Sequence, residues 1–192
     1  FDQYVRLFTS DRWQVSVWHL LAFGVLFILL CLVIGFLLAV ALDQKVRFEN
    51  TFRTIFLYPY AMSFIVTGLI WQWLMNPTLG IQNTMRALGW ESFTFDWAVN
   101  ADLAVFALVI AAIWQASGLV MALMLAGLRG IDTELWKATK IDRIPTWRVY
   151  VSIILPILTP TVTTATVLLS IAVIKVYDLV VALTNGGPGT AS

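Results

Sequence analysis

Four long stretches without formal charge constrain this chain more than any other feature in it. They run from Val15 to Leu42, from Thr54 to about Leu74, from Leu103 to Leu128 and from Val149 to Ile174. A helix advances about 1.5 Å per residue, so about 20 apolar residues cross about 30 Å of hydrocarbon. Backbone donors and acceptors surrounded by lipid must be paired within their own segment, which predicts helices here and not open strands. Composition points the same way: 60% of the 192 residues are apolar and 12% are charged, against about a quarter charged in soluble domains. The expected fold is an all-α membrane protein, a polytopic helical bundle. No soluble linker, low-complexity run or repeat divides it, so residues 1–192 read as one membrane domain.

The basic residues orient the bundle. The loop from Asp43 to Arg53 carries Lys45, Arg47 and Arg53, and the loop from Arg129 to Arg148 carries Arg129, Lys137, Lys140, Arg143 and Arg148. Short loops rich in Lys and Arg stay on the cytoplasmic side. The stretch from Asn76 to Asp102 has Arg86 alone with Glu91, Asp96 and Asp102 and is expected outside. Trp13, Trp18, Trp73, Trp97, Trp136 and Trp147 fall near run ends, as an interfacial aromatic belt requires. This arrangement puts both visible ends outside. The chain opens at Phe1, without an initiator methionine or a signal peptide in view, and is expected to be a fragment. A net charge of +1 gives no reason to expect nucleic acid as a partner. Cys31 is the only cysteine, which excludes an intrachain disulfide and a multi-cysteine metal site.

The loop over residues 129–148 is longer than a helix connection needs. Leu135, Ala138 and Ile141 recur every three residues, predicting an apolar stripe on a short helix that starts near Asp132 or Thr133 and stops by Pro145. Glu134 falls in its first turn, where a carboxylate complements the helix dipole. Lys137, Lys140 and Arg143 project from other faces. Such a helix either lies on lipid or plugs a groove on a partner protein.

The same residues resemble a motif of inner-membrane permease subunits of ABC importers: Glu-Ala-Ala, three residues, Gly, nine residues, Ile, any residue, Leu, Pro. Lys137, Ala138 and Thr139 occupy the triplet, Arg143 the glycine position, and Ile153, Leu155 and Pro156 follow in register. Glu134, Ile141, Asp142, Trp147 and Pro160 are similar to the carbohydrate-uptake branch. So are Asn76, Pro77, Gly80 and Asn83, and the tail from Tyr177 to Gly189. The version Trp136-Lys137-Ala138 resembles glucose and mannose importers within it. The resemblance implies six spans, of which four are visible, with a cytoplasmic coupling helix. It implies coupling to an ATPase through Glu134, Lys137, Ala138, Thr139, Ile141, Asp142 and Arg143. It also implies a second, different permease subunit, a pair of ABC ATPase subunits and an extracytoplasmic sugar-binding protein, all at a bacterial inner membrane. Arg143 departs from the pattern. Glycine there would allow a positive φ at the helix end, so arginine either holds that conformation under strain or abandons it. No phosphate loop Gly-x-x-x-x-Gly-Lys-Ser/Thr occurs in the chain, so ATP must be bound by another polypeptide, and no cofactor or metal is expected on this one.

Polar groups inside the spans mark the remaining candidates. Gln115 and Ser117, beside Trp114 in span three, could hydrogen-bond a sugar hydroxyl next to a stacking indole, or could join helices. Gln72 and Asn76 are expected to cap and anchor span two. Pro156 and Pro160, followed by Thr159, Thr161, Thr163, Thr164 and Thr166, predict a kink or hinge in span four. Lys175 and Asp178, three apart, are expected to pair or to snorkel. As a coupling pair they would instead support the rival reading, an ion-gradient-driven secondary transporter. His19 lacks the neighbours that a metal or a catalytic triad needs.

Overall fold

The structure, a computed structural model, describes residues 2–44 and 46–189. Lys45, counted above among the inner-side cations, lies outside the described residues. Helices make up the bundle, with no strand among the described residues. A short helix α1 (Asp2–Phe8) leads into α2 (Asp11–Asp43), the first span. Ser10 starts α2 by accepting from the Trp13 amide. Its 33 residues extend about 50 Å, more than a bilayer core requires. Phe23, Phe27, Cys31, Gly35 and Ala39 are all buried on α2 and recur every four residues, forming one seam against α6 (Ala104–Arg129). Gly35 lets the two helices close: a Cβ there would meet Val120 Cγ1 at 2.5 Å. Helices in lipid gain little from apolarity alone, so this close van der Waals approach is what binds spans one and three. The third span is the most enclosed element of the bundle.

Span two is not one helix, which corrects the expectation of a continuous run from Thr54 to Leu74. It divides into α3 (Glu49–Leu57), a 3-10 turn (Tyr58–Ala61) and α4 (Phe64–Leu74), and its two halves meet at 104°. Two local causes account for the break. Pro59 withholds an N–H from the helical ladder, and Ser63, with extended backbone, starts a new helix by accepting from the Val66 amide.

Span four bends where its prolines predict. Residues Thr146–Ile157 form α8, with a π turn over Tyr150–Ile154, and Thr159–Ile174 form α9, 71° away. The threonine hydroxyls take up backbone carbonyls: Thr159 donates to Pro156, Thr163 to Thr159, Thr164 to Pro160 and Thr166 to Val162, at 2.7–3.0 Å. After a break at Lys175 and Val176 comes α10 (Tyr177–Leu183), which packs chiefly on α4. That break removes the i,i+3 geometry expected of Lys175 and Asp178. Both are exposed, and no ion pair joins them among the described residues.

At the other end of the bundle, loop charges tie the spans together. Arg129 at the end of α6 reaches Asp43 at 3.7 Å and Glu49 at 2.9 Å, and Glu49 also pairs with Arg53 at 3.2 Å. The two basic loops therefore sit on one side, as the charge distribution requires. Opposite them, α5 (Ile81–Ala87) and its following turns cap the bundle, held by Gln82 accepting from the Phe95 amide and by Arg86 donating to the Phe93 carbonyl. Asn76 does not cap α4 with its side chain; its Oδ1 instead accepts from the Thr78 and Leu79 amides and shapes the turn that follows.

Candidate functional site

The loop after span three forms a helix, α7 (Thr133–Ile141), close to the bounds its sequence predicts. Asp132 caps it by accepting from the Glu134 amide at 3.0 Å. Its bundle-facing side is not the predicted stripe. Leu135 is half-buried, but Ala138 is exposed and Ile141 is 79% exposed. The side turned inward is Leu135, Trp136 and Thr139, with Thr139 buried and its hydroxyl donating to the Trp136 carbonyl. Trp136 rests on Tyr150, centroids 5.7 Å apart, and Tyr150 in turn meets Phe36 of span one. An indole and a phenol cover more area than an alanine and an isoleucine could, and they fix the helix to the roots of spans one and four.

This anchoring leaves Glu134, Lys137, Ala138 and Ile141 exposed. Their spacing of three, one and three residues places them on a single helical face. Glu134 and Lys137 pair at 2.9 Å, which presents a local dipole beside an apolar patch with little net charge.

The helix ends in a Schellman turn built around Arg143. The Arg143 amide donates to the Lys140 carbonyl and the Ile144 amide to the Thr139 carbonyl, both at 3.2 Å, with Asp142 as C-cap. Arg143 has φ of 52°. Of the two alternatives that the sequence leaves at this position, the chain holds the left-handed conformation with a side chain that disfavours it.

Around the break in span two, the structure brings together residues that the sequence placed separately. Gln115 Nε2 donates to the Met62 carbonyl at 2.7 Å, satisfying an acceptor that the break releases from the helix. Trp114 meets Trp71 edge to face, centroids 5.9 Å apart. Ser117 is buried on the same helix. Gly118 permits the approach: a Cβ there would fall 2.0 Å from the Phe56 carbonyl oxygen. Thr67 Oγ1, Trp71 Nε1 and Gln115 Oε1 are buried without partners at this α4–α6 face. Thr67 and Trp71 were not singled out by sequence; their spacing of four on α4 carries the signal only once the break is known.

Broken apolar spans around an enclosed central helix, with a surface helix anchored between spans three and four, define a polytopic permease-like membrane bundle. Its residues 31–191 match the family described as "Binding-protein-dependent transport system inner membrane component", and the chain belongs to that family. It is 38% identical over 191 residues to a probable ABC transporter permease protein of Pyrococcus horikoshii, covering 99% of this chain and 65% of that one. It is 34% identical over 183 residues to the xylose/arabinose import permease of Haloferax volcanii, covering 95% and 57%. The trehalose/maltose transport system permease of Thermococcus litoralis is 29% identical over 189 residues, with 98% and 64% covered. The chain thus spans 57–65% of the length of these relatives. A crystal structure of a bacterial ABC transporter involved in import of the acidic polysaccharide alginate shares the fold, with a TM-score of 0.84 at 20% identity over all of this chain and 67% of that one.

Proposed function

We propose that this chain is part of the permease subunit of an ATP-driven sugar importer, forming half of the translocation pathway and coupling to a separate ATPase through α7. The observation that carries the reading is the free face of α7. A nine-residue helix gains little from existing alone in water. This one is fixed to the bundle by Trp136 while Glu134, Lys137, Ala138 and Ile141 point away from it. That arrangement suits insertion into a groove on another protein. Thr139, Asp142 and Arg143 then act from behind, setting the inward seat and the end of the helix.

Relatives named as permeases for xylose/arabinose, trehalose/maltose and diacetylchitobiose support a carbohydrate substrate. Within that class we favour a monosaccharide such as glucose or mannose, on the Trp136-Lys137-Ala138 resemblance. Trp114, Gln115 and Ser117 are the pathway residues of this reading, with Thr67 Oγ1 and Gln115 Oε1 available to a sugar hydroxyl when α4 and α6 part. A second permease subunit and an extracytoplasmic binding protein complete the assembly; a further structure of similar fold, a bacterial alginate ABC transporter in complex with an alginate pentasaccharide-bound periplasmic protein, is in keeping with the binding protein. The secondary-transporter reading loses support because its coupling pair, Lys175 and Asp178, is exposed and unjoined.

The direct test is a cysteine placed at Ala138 in the full-length protein and crosslinked in membranes that contain the candidate ATPase. A crosslink from Ala138→Cys, and none from a cysteine at inward-facing Thr139, is the expected result. Crosslinking from neither position, with the assembled complex confirmed by co-purification, would overturn the docking assignment.

A further inference from the structure

Behind α7 lies a cavity of about 620 Å3, lined among others by Asp43, Gln44, Trp136, Lys140, Thr146 and Tyr150. Beside it an apolar groove of about 720 Å3 runs between span one and α8, past Val33, Phe36, Leu37, Val151 and Leu155. Phe36 of the groove and Tyr150 of the cavity touch, centroids 6.4 Å apart, so the two spaces adjoin. We propose that they form one site for an inner-leaflet phospholipid with an anionic headgroup, its phosphate in the cavity and an acyl chain in the groove.

The charges favour an anion. Lys140 lines the cavity and makes no ion pair among the described residues. Asp43, the carboxylate in the lining, belongs with Glu49, Arg129 and Arg53 to a linked group of two carboxylates and two guanidiniums whose charges cancel. The Gln44 amide donates to the Tyr150 hydroxyl only at 3.4 Å, a long bond that a phosphate oxygen could replace. Depth favours a lipid over a soluble anion. Trp136 and Tyr150 lie at the basic end of the bundle, where amphipathic rings meet headgroups. The groove continues from there along the apolar spans, and its one hydroxyl, on Thr159, is already bonded to the Pro156 carbonyl. An acyl chain fills such a groove without leaving donors unpaired, whereas an extended peptide would bury its backbone unsatisfied. Seated there, the lipid would support the inward face of α7 while leaving Glu134, Lys137, Ala138 and Ile141 free. This site is independent of the transported substrate.

The experiment uses the full-length permease with its partner subunits in nanodiscs of mixed phosphatidylcholine and phosphatidylglycerol, followed by native mass spectrometry of the lipid retained. Wild type should retain phosphatidylglycerol selectively. Lys140→Gln should lower that retention about fivefold, the factor that about 1 kcal/mol per lysine near the membrane surface corresponds to. Val33→Trp, or Leu37→Trp if the first variant is poorly folded, should displace the lipid with Lys140 intact, because each fills the groove. Arg12→Gln, at the opposite end of the bundle, should retain it. Equal retention of both lipids, or no effect of Lys140→Gln, would overturn the proposal. So would displacement by inorganic phosphate alone, which marks a chainless anion site, or a crosslink placing another helix of the full-length complex in the groove.

Discussion

Replacing Arg143 by glycine should stabilise the end of α7. At φ of 52° an L side chain crowds its own carbonyl, at a cost of about 1–2 kcal/mol. Glycine removes that strain but enlarges the unfolded ensemble, which returns about 0.4–1 kcal/mol. The net gain is then about 0.8 kcal/mol, the midpoint of a range from about 0 to about 1.6 kcal/mol, and since the Schellman bonds close only around residue 143, it should appear locally. Amide hydrogen exchange of the full-length protein reads this directly: the Ile144 amide, bonded to Thr139 at 3.2 Å, should exchange about two- to fivefold more slowly in Arg143→Gly. Arg143→Ala keeps the positive φ and should match wild type, while Arg143→Pro, whose φ is fixed near −65°, should lose protection through Ile144. Faster exchange in Arg143→Gly, or equal gains in the glycine and alanine variants, would refute the strain argument.

Other outcomes follow from the packing. Gly118→Ala should force spans two and three apart, because its Cβ would meet the Phe56 carbonyl, a backbone atom that cannot rotate away. A loss of at least about 1–3 kcal/mol should show as a lowered thermal midpoint of the purified assembly. Gln115→Leu should strand the Met62 carbonyl bonded at 2.7 Å, costing about 1–3 kcal/mol by the same melt. Ser63→Ala, removing the cap of α4, should cost about 1 kcal/mol, whereas Ser16→Ala, whose hydroxyl donates back to Arg12 on an exposed face, should cost almost nothing.

Spans one and three were legible because their apolar runs carry no internal interruption, and α2 and α6 end within a few residues of the predicted limits. The span-four kink was legible from Pro156 and Pro160, since both causes are local. The break in span two was missed because average apolarity runs unbroken through Tyr58 to Ser63. Pro59 with Ser63 four residues later was the available signal, a helix stop followed by a helix start. The face of α7 was misread because spacing selects apolar residues, whereas the bundle selects the residue with most area to bury, Trp136, and a threonine able to bond its own turn. That Gln115 answers Met62 could not be read at all: the two are 53 residues apart and meet only through the bend.

The central claim, that α7 transmits the work of a separate ATPase to the spans, is tested most directly by uptake into liposomes. The full-length protein would be reconstituted with the candidate partner permease, ATPase and binding protein, and labelled glucose uptake measured with ATP, with an ion gradient alone, and with Ile141→Asp on the free face of α7. Uptake that requires ATP and is lost in Ile141→Asp, with complex assembly confirmed, is the predicted result. Uptake driven by the ion gradient without ATP, or ATP-driven uptake indifferent to Ile141→Asp, would contradict it.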